Sequence, residues 1–245
     1  MHPSRLQPVA DNALAGLDES EVEVLKEALR TPRGQYTAQR ASQLAGVPLS
    51  TLYYWARESL LVPDYTGRPM RWSYRDLVFV RLFTFLRSRN HPPKAVSRYV
   101  DQVRDAVSSG HADLRHVHAG KRLVLLGDEA LDRMTGAGFL PLLIQYLDVF
   151  DLVAPLTVRE LGRSRVWGPN LVRPSQHTEI WPWVMSGDPV IRRSRLPTAS
   201  VFALNQERGL APAEIVELYR GALTVDAARD AIALEQRLRR TRLAA

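Results

Sequence analysis

The chain has 245 residues, 45% of them hydrophobic and 24% charged, with a formal net charge of +7. It is long enough for two compact units, and its composition excludes a disordered or collagen-like protein. It contains no cysteine, which excludes disulfides, thiolate nucleophiles and cysteine-bound zinc together. No apolar run approaches the roughly 20 residues that span a bilayer. The first twenty residues lack the apolar segment of a secretory signal, so a soluble, cytoplasmic protein is expected. The charge is uneven. Residues 1–29 hold 2 basic and 6 acidic side chains, whereas residues 30–104 hold 13 and 4. A basic window with a net of +9 is what a phosphate-binding surface requires. Only Lys26, Lys94 and Lys121 are lysines. The planar fork of arginine suits phosphate and carboxylate partners; codon preference explains the choice of arginine equally well, but not its clustering.

Taken in chain order, Asp18 to Leu29 reads as an amphipathic helix with a capping box from Ser20 to Glu23. Thr31-Pro32-Arg33-Gly34 ends it. Tyr36 to Val47 reads as a short helix closed by a glycine turn, and Pro48 opens a second helix. Two short helices across a three-residue glycine turn make a helix-turn-helix. Ala41 is small where they cross, and Leu44, Val47, Leu52 and Trp55 supply the apolar faces. Ser50, Tyr53, Tyr54 and Arg57 then share the opposite face. Leu61 to Tyr65 and Met70 to Trp72, around Thr66-Gly67-Arg68-Pro69, predict a short hairpin, a wing carrying Arg68 and Arg71. Ser73 with Asp76 caps an apolar helix, and another follows His91-Pro92-Pro93. Beyond Gly110 the pattern alternates, predicting a hairpin through Leu114, His116 and His118 to Leu123–Leu126, then a helix over Phe139–Phe150. Residues 162–188 read as a loop-rich connector. Three capped helices close the chain, over Thr198–Arg208, Pro212–Tyr219 and Thr224 to about Arg240.

Two stretches carry family resemblances. Tyr36-Thr37, Leu44-Ala45-Gly46-Val47, Thr51-Leu52-Tyr53-Tyr54-Trp55, Leu60-Leu61-Val62-Pro63, Arg71-Trp72-Ser73 and Asp76-Leu77 resemble the winged helix-turn-helix of MerR-type regulators. Tyr53 stands where that family has an arginine and Ala56 where it has a glutamate. The resemblance implies duplex DNA as a partner, with Ser50, Thr51, Tyr53, Tyr54 and Arg57 toward the major groove and Arg68 and Arg71 on flanking backbone or minor groove. Gly187-Asp188-Pro189-Val190-Ile191-Arg192-Arg193-Ser194-Arg195-Leu196-Pro197 resembles an uncharacterised antitoxin-like family reading roughly G-x-P-V-I-x-G-T-R-I-P, with Arg193 for glycine and Ser194 for threonine. The likeness runs from Glu179 to about Leu238. The combination looks like a VapB-type antitoxin, which implies a PIN-like ribonuclease toxin as partner. Its toxin-binding candidates are Arg192, Arg193 and Arg195 on the loop and Arg237, Arg239, Arg240 and Arg242 on the tail.

Catalytic chemistry is not indicated. His111, His116 and His118 lie in and beside one hairpin, but without a third ligand of clear spacing they read as ordinary histidines rather than a metal site. Gly136-Ala137-Gly138 lacks the third glycine of a dinucleotide fingerprint, and there is no P-loop. Trp181 and Trp183, flanking Pro182, are either buried or a partner anchor. The expected architecture is mainly α: a winged helix-turn-helix domain over 1–110, a small α/β connector of hairpin and helix over 111–160, and a three-helix partner-binding domain over 161–245. The expected function is a non-enzymatic antitoxin, without metal or cofactor, that neutralises its toxin and represses its own operon, as a homodimer on DNA. The alternative is a free-standing MerR-like regulator whose C-terminal domain binds a ligand or dimerises.

Overall fold

The structure, a computed structural model, describes residues 5–8, 14, 16–110, 115–119, 122–126, 144–160 and 163–240. It is mainly helical, as the apolar spacing predicts. Helix α1 spans Glu19–Arg30 and buries Leu25, Ala28 and Leu29. Its cap is Asp18, not Ser20: Asp18 Oδ1 accepts from Glu21 N and Glu21 Oε2 accepts from Asp18 N. Ser20 Oγ donates to the same Asp18 carboxylate. An aspartate two residues earlier accepts from a free N–H of the first turn and carries the charge the helix dipole favours.

Strand β2 (Tyr36–Thr37) replaces the start of the second expected helix, and α2 covers Ala38–Ala45. Helix α3 follows over Leu49–Arg57, with Pro48 just outside it. Strand β3 (Arg71–Trp72) pairs antiparallel with β2, placing Tyr36 opposite Trp72 and Thr37 opposite Arg71. Helices α4 (Tyr74–Ser88) and α5 (Pro93–Ser108) form an antiparallel pair. Ser73 and Asp76 close the expected capping box, and almost all of α4 is buried. The wing is shorter than predicted. Only Tyr65 bridges Arg71, because Pro63 and Pro69 bring no N–H and the Asp64 N–H donates to Asp76 Oδ2.

Strands β4 (Arg115–Ala119) and β5 (Arg122–Leu126) form the predicted hairpin, with His116 and His118 on β4; His111 lies outside the described residues. The helix expected over Phe139–Phe150 is overturned. Residues 139–143 fall outside the described residues, and Ile144–Asp148 is strand β6, paired with β4. A run with Ile144, Tyr146 and Leu147 beside an open hairpin edge gains a ladder there, and the apolar residues that read as helical are equally good strand formers. A 3-10 turn, Val149–Val153, then sends Phe150, Leu152 and Val153 into the main core. Strands β1 (Arg5–Pro8), β7 (Leu156–Glu160) and β8 (Arg163–Gly168) make a second three-stranded sheet, so the stretch read as a connector contains a strand.

The C-terminal part holds the two-stranded pair β9 (Thr178–Glu179) and β10 (Val190–Ile191), then α6 (Thr198–Arg208), α7 (Pro212–Leu218) and α8 (Val225–Arg240). Gly209 ends α6 in the left-handed conformation, as its sequence position predicts. Among the described residues there are two buried apolar clusters. The larger joins α1 to α5 with Leu171, Val172 and Ile180; the smaller joins Ile191, Val201, Phe202, Ile215 and Leu223. Helix α8 belongs to both. Ala227, Ala228, Ala231 and Ile232 line the smaller cluster, while Leu234 and Leu238 enter the larger. Among the described residues no helix is long and apolar enough to cross a membrane.

Candidate nucleic-acid interface

Thr37 starts the helix-turn-helix by accepting Arg40 N on its hydroxyl, 3.1 Å away. Gly46 closes α2 at φ +73, the left-handed conformation that glycine adopts without a Cβ clash. Ser42 locks the turn: its hydroxyl donates to Val47 O at 2.5 Å, and its carbonyl accepts from Val47 N at 3.0 Å. Ala41, Leu44, Val47 and Leu52 are fully buried, and Trp55 lies 4.4 Å from Phe83 between ring centroids. The inward face of α3 is therefore fixed against α4.

That leaves the outward face predicted by the spacing. Tyr53 and Tyr54 are 51% and 48% exposed, a large value for two adjacent aromatic rings, and Ser50 and Arg57 are exposed beside them. Thr51 is half-buried. The Arg57 guanidinium lies 5.7 Å from the Tyr54 ring centre and 3.1 Å from Glu58, an exposed pair of little energetic weight. In the wing, Arg68 is exposed at the tip and Arg71 sits opposite Thr37. The ladder thus brings an arginine of the wing to the first turn of α2, where helix N–H groups also favour anions.

The wing is anchored by charges. Arg75 holds Asp64 through two bonds of 2.8 and 2.7 Å, and its Nη1 donates to Arg30 O. Asp76 Oδ2 accepts from Asp64 N and Ser73 N, and its Oδ1 accepts from Arg104. Burial, helped by the neighbouring Asp64 charge, pushes the Asp76 carboxyl up to about 6. Against burial, Arg75 and Ser73 hold Asp64 below its ordinary value.

Residues 36–103 match the family described as MerR HTH family regulatory protein. This stretch is a MerR-like DNA-binding domain. No curated protein and no solved structure matches the chain. In the MerR-like domain Ser50, Tyr53, Tyr54 and Arg57 lie on the exposed face of α3, and Thr51 is half-buried.

Spacing gave no sign of two buried arginine sites behind this domain. Arg81 is fully buried on α4, and its guanidinium donates to the carbonyls of Leu44, Leu152, Val153, Ala154 and Pro169. It ties the end of α2 to two distant segments. Gly168 makes room for it, since a Cβ there would lie 2.9 Å from Arg81 Nη2. Arg40, on α2, donates to Glu235 Oε2 and Oε1 at 2.9 and 2.6 Å and to Asp188 at 2.9 Å. Burial opposes both charges, but their pairing outweighs it: the Arg40 guanidinium is held above its ordinary value and the Glu235 carboxyl below.

The other candidate arginines are dispersed. Arg192, Arg193 and Arg195 are exposed on the turn between β10 and α6. Arg193, where the resembled family has glycine, sits at φ +59, with its N–H on Glu179 Oε1. Ser194 closes the turn by donating to Ile191 O, as a threonine would. On α8, Arg237, Arg239 and Arg240 are all exposed, and the Arg239 guanidinium lies 4.2 Å over the Phe202 ring. Arg242 is outside the described residues. Trp181 packs against the main core, and Trp183, 5.4 Å away, is half exposed.

Proposed function

We propose that this chain is a cytoplasmic transcriptional regulator that binds operator DNA as a dimer and that its C-terminal helices serve a protein partner. The observation that carries the DNA reading is the exposed Tyr53–Tyr54–Arg57 face of α3 flanked by Arg68 and Arg71, within the most basic window of the chain. Side chains on such a face read base edges, and the wing arginines fix register on phosphates. One module of this size buries too little surface for the affinity a repressor needs, which favours a two-fold protein on paired half-sites. Anisotropy titration on a duplex taken from upstream of the gene tests it. Arg71→Ala is expected to weaken binding to that duplex and to a mixed-sequence one alike, lowering the slope of log K against log salt by ~0.9. Unchanged affinity and slope would remove the wing from the interface.

The finer reading is a type II antitoxin of a PIN-like ribonuclease, and the Gly187–Pro197 resemblance supports it. Its physical support is the exposed Arg192, Arg193 and Arg195 turn, because arginines entering a carboxylate-lined metal site form bidentate bonds and displace the metal. Co-expression with the product of an adjacent small reading frame, followed by a ribonuclease assay, tests this. Stoichiometric inhibition that is lost in Arg193→Ala/Arg195→Ala supports it. An active ribonuclease that the intact chain does not inhibit leaves the regulator reading alone.

A further inference from the structure

Four links join the C-terminal part of the chain to one six-residue segment at the front of the helix-turn-helix. Gln35 N donates to Ser186 O at 2.9 Å and Tyr36 Oη to Gly187 O at 2.8 Å. Arg40 Nε donates to Asp188, and its two terminal nitrogens clasp Glu235. Glu235 is 1% exposed and also accepts from Thr198 Oγ1, at 2.5 Å, so both of its oxygens are spoken for. The strap from Met185 to Gly187 holds three consecutive positive φ values, 48°, 57° and 89°. Two of these are on residues with a Cβ, a conformation that persists only where its surroundings enforce it. Segment 35–40 comprises β2 and the first turn of α2, and its other edge pairs with Arg71 of the wing. A continuous chain of contacts therefore runs from α8 through Glu235 and Arg40 to the helix start and wing that face DNA. Arg40 itself has a side chain only 11% exposed and already paired with two carboxylates, so it is not available to phosphate.

We propose that Arg40 is a positioning residue for DNA binding, through which α8 sets the affinity of the helix-turn-helix, so that a partner engaging the C-terminal helices is felt at the DNA. This rests on the DNA-binding reading above and adds its regulation. Because α8 contributes to both buried clusters, a shift of the helix toward one loosens its hold on the other. The Arg40–Glu235 pair is where that shift meets the DNA-binding domain.

The sign of one substitution separates positioning from simple charge. Glu235→Gln removes a negative charge, which by long-range electrostatics alone strengthens attraction to DNA. Positioning predicts the reverse: affinity falls at least about fivefold, the low end of coupling between linked sites. Arg40→Gln is expected to match it with the salt slope unchanged, whereas a direct phosphate contact would lower the slope by ~0.9. The full chain is titrated by anisotropy against the upstream duplex and a mixed-sequence duplex, with thermal melts alongside. Asp230→Asn is the control. It removes the same single negative charge and weakens the Ser175 and His177 bonds to α8 without touching segment 35–40, and is expected not to lower DNA affinity. If Glu235→Gln does not fold, Asp188→Asn, at the half-exposed partner of Arg40, takes its place. Affinity that rises or stays level in these variants, or falls equally in Asp230→Asn, overturns the proposal. A wild-type chain that binds neither duplex overturns the DNA-binding reading itself.

Discussion

Gly187→Ala is the smallest change that tests how tightly the C-terminal strap is seated on the DNA-binding domain. At φ +89 the residue lies where a Cβ costs about 1–2 kcal/mol from the backbone alone. The added carbon would also lie 2.2 Å from Tyr36 Oη and 2.6 Å from its Cζ, so the ring must move. Displacing a packed ring costs about 1–3 kcal/mol. It also breaks the 2.8 Å bond from Tyr36 Oη to Gly187 O inside the core, where an unmade bond costs about 1–3 kcal/mol. These last two overlap, so the sum is about 4 kcal/mol, a large share of the roughly 5–15 kcal/mol that holds a domain folded. For a chain of this length each kcal/mol moves the melting temperature by about 2–4 °C. A fall of roughly 8–16 °C in a thermal melt is therefore expected, with a matching loss in urea. Tyr36→Phe supplies the internal check. It removes the oxygen of closest approach, so Gly187→Ala is expected to cost less in that background than in the wild type. A loss under about 1 kcal/mol, or the same loss in both backgrounds, would refute the contact as described.

Two further outcomes concern buried charge. Arg81→Met keeps the volume and recovers the cost of burying a guanidinium, but it orphans five carbonyls; a loss of at least about 3–5 kcal/mol in urea unfolding is expected, and a neutral result would mean that Arg81 is not a structural tie. The Asp76 carboxyl is expected to titrate near 6 by carboxyl-carbon NMR, and a midpoint near 4 would refute its burial. Because its folded pKa is the higher one, the folded state binds the extra proton between about 4 and 6. Ionising Asp76 therefore subtracts stability as pH rises through that window, by about 3 kcal/mol at most from 1.36 kcal/mol per unit. Asp64 works the other way, its contribution being lost as pH falls through its depressed pKa.

What was legible in the sequence was local. Gly46 and Gly209 end helices, Ser73 with Asp76 starts one, and the apolar spacing of Leu44, Val47, Leu52 and Trp55 fixes which face of the helix-turn-helix is buried. Each is decided within a turn or two of chain, where capping and periodicity act. The fold departs from the local pattern where two local rules allow the same residues. Asp18 and Ser20 are both acceptable caps, and the acidic residue two positions earlier won. Ile144–Asp148 suits helix and strand alike, and only the free edge of β4, distant in sequence, decides it. The exposed residues of α3 were legible for the same reason as the core: once one face of a short helix is buried, the other follows.

The ties behind the interface were not legible, and the reason is physical. Arg40 and Glu235 are 195 positions apart, and Arg81 reaches carbonyls 37 to 88 positions away. On the sequence each reads as one more surface charge. Nothing in spacing marks an arginine that will be buried, because what makes burial tolerable is a set of acceptors gathered by the whole fold. The one local trace is glycine. Gly168 and Gly187 stand where a Cβ would meet Arg81 and Tyr36, and each marks a close approach rather than a simple turn. Gly187 also opens the motif resembling the antitoxin-like family. Its carbonyl accepts from Tyr36 Oη, at the front of the MerR-like domain. The C-terminal strap and the front of the MerR-like domain meet at the Tyr36–Gly187 and Arg40–Asp188 contacts, which is why the C-terminal helices and the DNA-binding face are expected to respond together.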